Sequence, residues 1–377
     1  MKFAFCLFKY FPFGGLQRDF RRIAEECLRR GHQVAVFTMA WDGEPPPGLE
    51  VNLLPSGKFS NHGRCREFAR RARTAIAGGG FDAVVGFNKM PGLDVYFAAD
   101  PCFEAKVRQK HGPLYRLGGR YRCYAEFERA VFAPAAATEI LLISEVEKPH
   151  FIAQYGTPEE RFHFLPPGID RDRIAKPEDA ATRLEVRREL GMAEEELLVL
   201  MVGSGFKTKG LDRALRALAA LPDKLRQRSR LVVIGQGKAG PFLKLARKLG
   251  VEQRLSLLGG RGDVPRFLAA ADLLLHPSYY ENTGTVLVEA LAAGLPVLAT
   301  EICGYAHYVR QSRAGLLVPS PFRQEELDRM LSLMLNSAER ETWRSNALAF
   351  AAQADIFSLP QRAADIIEAK ALKGRGA

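Results

Sequence analysis

A chain of 377 residues has material for two hydrophobic cores at roughly 100–200 residues per domain, which argues against a small module stapled by disulfides or metal. Hydrophobic residues make up 47% and charged residues 26%, ordinary globular usage that fits neither a disordered polyelectrolyte nor an integral membrane protein. Lys and Arg number 54 against 43 Asp and Glu, and the net charge of +11 points to a polyanionic partner: nucleic acid, an acidic membrane surface or a phosphorylated substrate.

Residues Lys2 to Phe8 read as a strand, Leu16 to Arg30 as an amphipathic helix stopped at Gly31-His32, and Gln33 to Thr38 as a second strand, a βαβ opening. The apolar start is interrupted by Lys9 and lacks a small-residue cleavage site, so it reads as a buried strand rather than a signal peptide. A basic helix at about Arg64 to Ala77 precedes a buried strand at Phe81 to Phe87, and Glu139 to Ile143 gives a later strand before a turn at 166–170. After a polar connector at 170–182 the pattern restarts at Leu197 to Gly203. It continues through strands at Leu231 to Ile234, Leu255 to Leu258, Leu273 to Leu275, Pro296 to Ala299 and Gly315 to Val318. Near-continuous apolar strands separated by helical periods predict parallel sheets covered on both faces, an α/β protein of two Rossmann-like domains facing each other across a cleft. The expected boundaries are 1–168 and 169–356, with C-terminal helices from about Ser337 to Lys370 crossing back and 357–372 packing on the first domain. No run of 18 apolar residues occurs, so no bilayer span is expected. Cys6, Cys27, Cys65, Cys102, Cys123 and Cys303 are scattered singly, the usage of a reducing compartment, and imply no structural zinc.

In open α/β sheets ligands bind beyond the carboxyl ends of the strands, so the chemistry is expected in the loops there. The first such loop holds Phe13-Gly14-Gly15 ahead of a helix with Arg18 and Asp19. Glycines there let backbone approach a ligand, and the helix start offers amides to an anion; the plain alternative is a tight turn. Asp19 either faces an acceptor hydroxyl or complements the helix dipole. The mirrored loop in the second domain, Gly203-Ser204-Gly205-Phe206-Lys207-Thr208-Lys209-Gly210, adds two lysines. They suit a departing diphosphate or, more plainly, solvent. Neither loop matches the dinucleotide or Walker pattern. A third segment, Tyr280-Glu281-Asn282-Thr283-Gly284 and on to Glu289, carries two carboxylates eight positions apart around a helix start. The helix beginning near Gly284 presents amides to phosphate, Glu281 reaches outward from the loop, and Glu289 either accepts hydrogen bonds from ribose hydroxyls or is a surface helix residue.

With these residues the chain resembles the retaining glycosyltransferases of the GT-B fold, family four. Gly14-Gly15 with Asp19, Asp100, the Lys207 to Gly210 loop and Tyr280-Glu281-Asn282 bring it nearest to the lipopolysaccharide core glucosyltransferases of Gram-negative bacteria. The resemblance covers about 370 residues. It implies transfer of a hexose, glucose or an N-acetylhexosamine such as GalNAc, from a UDP-sugar to a heptose of the phosphorylated inner core. It also implies Glu281 on the donor sugar, Glu289 on the ribose, Lys209 on the diphosphate with the Gly14-Gly15 backbone, and Asp19 beside the acceptor. Gly14, Gly15, Asp100, Lys207, Asn282, Thr283 and Gly284 complete the donor set. Many relatives carry an arginine ahead of the loop lysine, where this chain has Lys207 and Thr208, and a histidine where this chain has Asp100. With no DxD motif, the UDP-sugar is a co-substrate with no metal and no further cofactor.

Between 102 and 132, Lys106, Arg108, Lys110, Arg116, Arg120, Arg122 and Arg129 stand against Glu104, Glu126 and Glu128, and aromatic and aliphatic residues recur at helical spacing. Gly112-Pro113 and Gly118-Gly119 break this stretch into shorter helices. It is either a solvated element packed on the first domain or an acceptor and membrane surface, with about 1 kcal/mol of attraction per basic residue near anionic lipid. The resemblance favours the second reading: peripheral attachment at the cytoplasmic face of the inner membrane, beside other core-biosynthesis enzymes as further partners. A nucleic-acid-binding module is the distant alternative, and leaves both glycine loops and the Glu281/Glu289 pair unexplained. Another family-four enzyme with a different lipid-linked or phosphorylated acceptor, a related hydrolase or epimerase, and a scaffold without donor turnover are the remaining readings.

Overall fold

A computed structural model describes residues 1–12, 14–176 and 179–375. Phe13 of the first glycine loop and part of the polar connector lie outside the described residues. The chain divides into two compact units, Met1–Gly168 with Phe357–Ala377, and Ile169–Ile356.

Unit 1 carries a seven-stranded sheet, every neighbouring pair parallel: β1 (Lys2–Tyr10), β2 (Gln33–Trp41), β3 (Leu49–Leu53), β4 (Ala83–Gly86), β5 (Val95–Ala98), β6 (Glu139–Leu142) and β7 (Phe162–Phe164). Its order is β3-β2-β1-β4-β5-β6-β7, the doubly wound pattern in which the winding reverses between β1 and β4. The helices are α1 (Gly15–Arg29), α2 (Asn61–Ala77), α3 (Phe103–Lys110), α4 (Gly119–Phe132) and α5 (Lys148–Tyr155). Strand alternation explains the two covered faces. Phe3, Phe5 and Leu7 of β1 pack with Phe20, Ile23 and Cys27 of α1 and with Leu359, Ala363 and Ile367 of the C-terminal helix Leu359–Arg375. Ala4 and Cys6, on the opposite face, pack with Phe68 and Ala72 of α2, Phe127 and Val131 of α4 and Phe151 of α5. The C-terminal helix is also pinned by Arg30 to Asp365 at 2.8 Å and by His32 to Glu368 at 2.7 Å.

Unit 2 carries six parallel strands: β8 (Leu197–Val202), β9 (Ser229–Ile234), β10 (Leu255–Leu257), β11 (Leu273–His276), β12 (Val297–Thr300) and β13 (Gly315–Val318). Their order, β10-β9-β8-β11-β12-β13, is again doubly wound, with the reversal between β8 and β11. The helices are α6 (Asp179–Glu189), α7 (Leu211–Ala220), α8 (Asp223–Arg228), α9 (Gly240–Lys248), α10 (Val264–Ala270), α11 (Thr285–Ala292), α12 (Ala306–Ser312), α13 (Gln324–Asn336) and α14 (Arg340–Gln353). Leu197, Val199 and Met201 of β8 pack with Leu211, Ala214 and Leu218 of α7 and Leu327, Leu331 and Met334 of α13. Helix α14 packs on α11 and α12 inside unit 2. Only the last helix returns to unit 1, so the expectation of a crossing that begins near Ser337 is corrected.

Three strands escape the sequence pattern: β3, β5 and β7. They hold five, four and three residues. Among the described residues no helix is long and apolar enough to cross a membrane.

Candidate functional site

At the reversal point of unit 2 the loops that follow β8 and β11 meet. Gly210 makes this contact possible: it sits at φ +77°, and a Cβ there would lie 2.0 Å from the Pro277 carbonyl oxygen, so only glycine lets the lysine loop close on the segment after β11. The Tyr279 amide donates to the Thr208 carbonyl at 2.8 Å. Arg213 donates to the Ser278 carbonyl at 2.9 Å and lies over the Tyr279 ring at 3.6 Å.

This contact brings Lys209 onto Glu281. The lysine ammonium donates to Glu281 Oε2, and His276 Nε2 lies 3.2 Å from the same oxygen. The expectation that Glu281 reaches outward is corrected: its side chain is 13% exposed and turns in toward both partners. Burial alone would raise its carboxyl, but the His276 hydrogen bond and the Lys209 charge outweigh burial and hold it at about 2. Burial lowers the His276 pKa against the pull of Glu281. Since a carboxylate only accepts, the hydrogen bond to Glu281 puts a proton on Nε2. Nδ1 is buried without a partner.

The loop bearing Glu281 is tied at several points. The Glu281 carbonyl accepts from the Gly304 amide at 3.2 Å and the Thr283 carbonyl from the Tyr305 amide at 2.7 Å. Asn282 lies within this tied stretch. Gly284, at φ +85°, turns the chain into α11, and Glu289 is buried on that helix, 6% exposed. Lys207 stands apart. Its side chain is 71% exposed and contacts Asp212 at 3.0 Å, with the Tyr279 hydroxyl donating to that carboxylate at 2.7 Å. Asp212 is lowered: its burial is outweighed by the hydrogen bonds from Tyr279 and Lys207.

In unit 1, Gly14 precedes α1, and a Cβ there would collide with Gln17 and Phe11, whereas Gly15 is open. Asp19 lies in the second turn of α1, its carboxylate 4.0 Å from Arg18 and 3.9 Å from Arg22. The basic segment folds as α3, a 3-10 turn at Pro113–Leu117 and α4. Glu128 of α4, fully buried, locks it in place. Its carboxylate accepts from Lys89 at 2.5 Å, from the Phe103 and Glu104 amides at 2.7 and 3.0 Å, and from the Tyr155 hydroxyl at 2.7 Å. Burial would raise this carboxyl, but Lys89 and the amides at the start of α3 pull it down. Buried Glu104 takes Arg116 at 2.9 Å and Arg108 at 3.7 Å. Two of the six cations assigned to an acceptor or membrane surface thus serve an internal carboxylate. Lys106 and Arg120 line a cavity with Asp100; Lys110 and Arg122 are exposed.

Sequence reasoning missed His276, Asp212 and the Glu128 lock. The available signal for His276 is a lone polar residue closing the apolar run Leu273 to Leu275 at a strand's carboxyl end. Among the described residues no group of three or more His, Cys, Asp or Glu is placed to hold a metal ion.

The family model for glycosyl transferases group 1 matches residues 182–350, and that for glycosyltransferase family 4 matches residues 13–173. Lipopolysaccharide glucosyltransferase WaaG of Escherichia coli (strain K12) is 48% identical over 365 residues, covering 97% of this chain and 98% of that protein. A D-inositol 3-phosphate glycosyltransferase of Actinosynnema mirum is 29% identical, covering 90% and 88%. The crystal structure of WaaG, described as a glycosyltransferase involved in lipopolysaccharide biosynthesis, superposes with a TM-score of 0.90 at 47% identity, covering 97% of this chain and 99% of that one. Anabaena HepE in complex with UDP and glucose gives a TM-score of 0.75 at 22% identity, covering 98% and 100%, a likeness of fold alone. With two doubly wound parallel sheets and this degree of identity to WaaG, the chain belongs to the family-four glycosyltransferases of the GT-B fold.

Proposed function

We propose that this enzyme transfers a hexose, with retention of configuration, from a UDP-sugar to a heptose of the lipopolysaccharide inner core. The observation that carries the reading is the junction of Lys209, Glu281 and His276 at the reversal point of unit 2, in a chain nearly half identical to a lipopolysaccharide glucosyltransferase. Lys209 brings positive charge to the departing diphosphate, where fixed charge in a water-poor site is worth most. Glu281, held ionised, keeps Oε1 for the hydroxyls of the donor sugar, since His276 and Lys209 occupy Oε2. Amides at the start of α11 and at Asn282, Thr283 and Gly284 serve phosphate. Glu289, buried among the apolar residues of that helix, serves the ribose. The acceptor hydroxyl attacks on the face from which UDP leaves, the leaving phosphate takes its proton, and Asp19 positions the acceptor. The Gly14-Gly15 backbone assists the diphosphate, and Asp100 completes sugar recognition. Lys207, engaged by Asp212 and Tyr279, adds a smaller electrostatic share in place of the arginine that many relatives carry.

We further propose peripheral attachment to the cytoplasmic face of the inner membrane. Leu114 and Leu117, 80% and 66% exposed, stand between exposed Lys110 and Arg122, an apolar and cationic combination that suits anionic lipid. The test of function is product analysis after incubating the protein with a heptosylated, phosphorylated acceptor and a panel of UDP-hexoses. A glycosylated heptose of retained configuration is expected; release of free sugar with every acceptor overturns the reading.

A further inference from the structure

A cavity of about 710 Å³ lies at the amino ends of β11 and β12, the end of the unit 2 sheet opposite to Lys209, His276 and Glu281. Its volume falls inside the ~300–1,000 Å³ usual for small-molecule sites, and the transfer reaction makes no use of it. Part of the lining is apolar: Ala271 leads into β11, Leu295 and Pro296 lead into β12, and Leu268 comes from α10. Charge comes from two segments, Lys176 with Arg183 of α6, and Arg340, Glu341 and Arg344 of α14.

The two segments use their charges differently. Arg183 is engaged within the protein: it pairs with Asp272 at 2.6 Å and donates to the Ala270 and Ala271 carbonyls at 2.6 and 3.1 Å. Asp272 also takes Arg187 at 3.3 Å and the Leu198 amide at 2.7 Å. Arg340 and Arg344, by contrast, make no ion pair among the described residues, and neither does Glu341 beside them. Their placement works against the helix. Arg340 opens α14, where the macrodipole disfavours a cation, and Arg344 follows one turn later, where like charges repel along one face. Gly294 brings α14 close to the turn between α11 and β12. It sits at φ +69°, and a Cβ there would lie 3.0 Å from Leu348 and 3.5 Å from Arg344. An anion between the two arginines relieves both penalties, and each guanidinium offers phosphate a bidentate fork.

We propose that this cavity binds a phosphomonoester between a sugar phosphate and a mononucleotide in size. Its phosphate meets Arg340 and Arg344, and its organic part lies against Leu268, Leu295 and Pro296. This ligand is neither donor nor acceptor, because the cavity opens at the amino ends of the strands and substrates of such sheets bind beyond the carboxyl ends.

Saturation-transfer NMR tests the site on the full chain in excess UDP, which fills the donor site. The probes are ribose 5-phosphate and adenosine 5′-monophosphate, each beside its phosphate-free counterpart, ribose or adenosine. Binding of a phosphorylated probe and of neither counterpart is expected, and the tighter of the two tells sugar phosphate from nucleotide. Arg340→Gln/Arg344→Gln should weaken that binding about tenfold or more, the scale of lost charge-assisted hydrogen bonds. Ala180→Trp, which keeps both arginines and crowds the lining, should weaken it as well, with melting curves to report that each variant folds. No binding of either phosphorylated probe, or equal binding of the phosphate-free forms, overturns the proposal. So does binding that survives in the folded arginine variant, and a loss confined to that variant overturns it too, because surface charge would then suffice without a cavity. If UDP itself does not bind, the transferase reading fails alone, and the two variants still locate the probes.

Discussion

The two sheets share one strand order over six strands, with β7 added in unit 1, and their reversal points solve different problems with similar residues. In unit 2 the charges close on one another, Lys209 on Glu281 and Lys207 on Asp212, with His276 and the Tyr279 hydroxyl on the same carboxylates. In unit 1 Glu128 and Glu104 are buried with their cations, while Lys106, Arg120, Lys9 and Arg64 around two cavities make no ion pair among the described residues. A closed arrangement fixes each group in advance, which is what stabilisation of developing charge requires. Uncompensated cations around a hollow instead attract an anion that the substrate brings. Topology sets where ligands meet the sheet, and the local pairing of charges separates a site built for chemistry from one built for capture.

The largest effect is expected where the open face depends on a buried charge. Glu128→Ala leaves Lys89 and the first amides of α3 without their carboxylate, and breaking a buried pair costs about 3–5 kcal/mol. Denaturant unfolding should show that loss. Lys89→Met combined with Glu128→Leu should recover part of it, and a Glu128→Ala protein of unaltered stability would remove the lock that shapes the cavity wall. Next in size is the closed arrangement itself. Lys209→Ala and Glu281→Ala should each lower kcat by about 10²–10³, and the double variant should lose less than the product because the two act as a unit. Unchanged turnover in Lys209→Ala would sink its role at the diphosphate.

A smaller effect, about tenfold, is expected from His276→Ala, which removes one of two groups orienting Glu281; steady-state kinetics should place it in kcat more than in the donor KM. Stability supplies a second readout. Burial holds the His276 pKa below its ordinary 6.5, so the unfolded chain binds a proton there more readily than the folded one. The associated stability is complete above pH 6.5 and is lost as pH falls through the folded value. The contribution of Glu281 begins to fall only below 4.5, and fades toward about 2. His276→Ala should therefore flatten the stability profile just below pH 6.5 and leave the more acidic part in place. A profile of unchanged slope would show that the ring does not titrate as its burial requires.

How much of this was legible in the sequence follows from what kind of information each feature needs. Strands such as Leu197 to Val202 announce themselves because burial on both faces demands an unbroken apolar run. The loops after β8 and β11 could be marked as functional because glycines and charges follow those runs. The inward turn of Glu281 could not, since it depends on the Gly210 contact with Pro277, a meeting of segments far apart in the chain. The same holds for Glu104, whose partner Arg116 arrives only through the 3-10 turn at Pro113–Leu117. The sequence reading assigns six of the cations there to one surface; tertiary structure divides them into two on Glu104, two on a cavity and two facing outward.

The smallest effect separates the two lysines of one loop. Lys207 and Lys209 are two residues apart and equally cationic, so sequence assigns both to the diphosphate. Lys207 is 71% exposed and pairs with Asp212, whereas Lys209 is 20% exposed and pairs with Glu281. An exposed pair is worth about 0–1 kcal/mol, so Lys207→Ala should lower kcat/KM less than about fivefold by the usual conversion of free energy to rate, with the loss shrinking as salt is raised. The loss in Lys209→Ala should persist in salt, because its partner is buried. Equal losses with equal salt dependence would mean that Lys207 performs the role of the arginine found in many relatives, and that the loop opens on binding to bring both ammonium groups to the diphosphate.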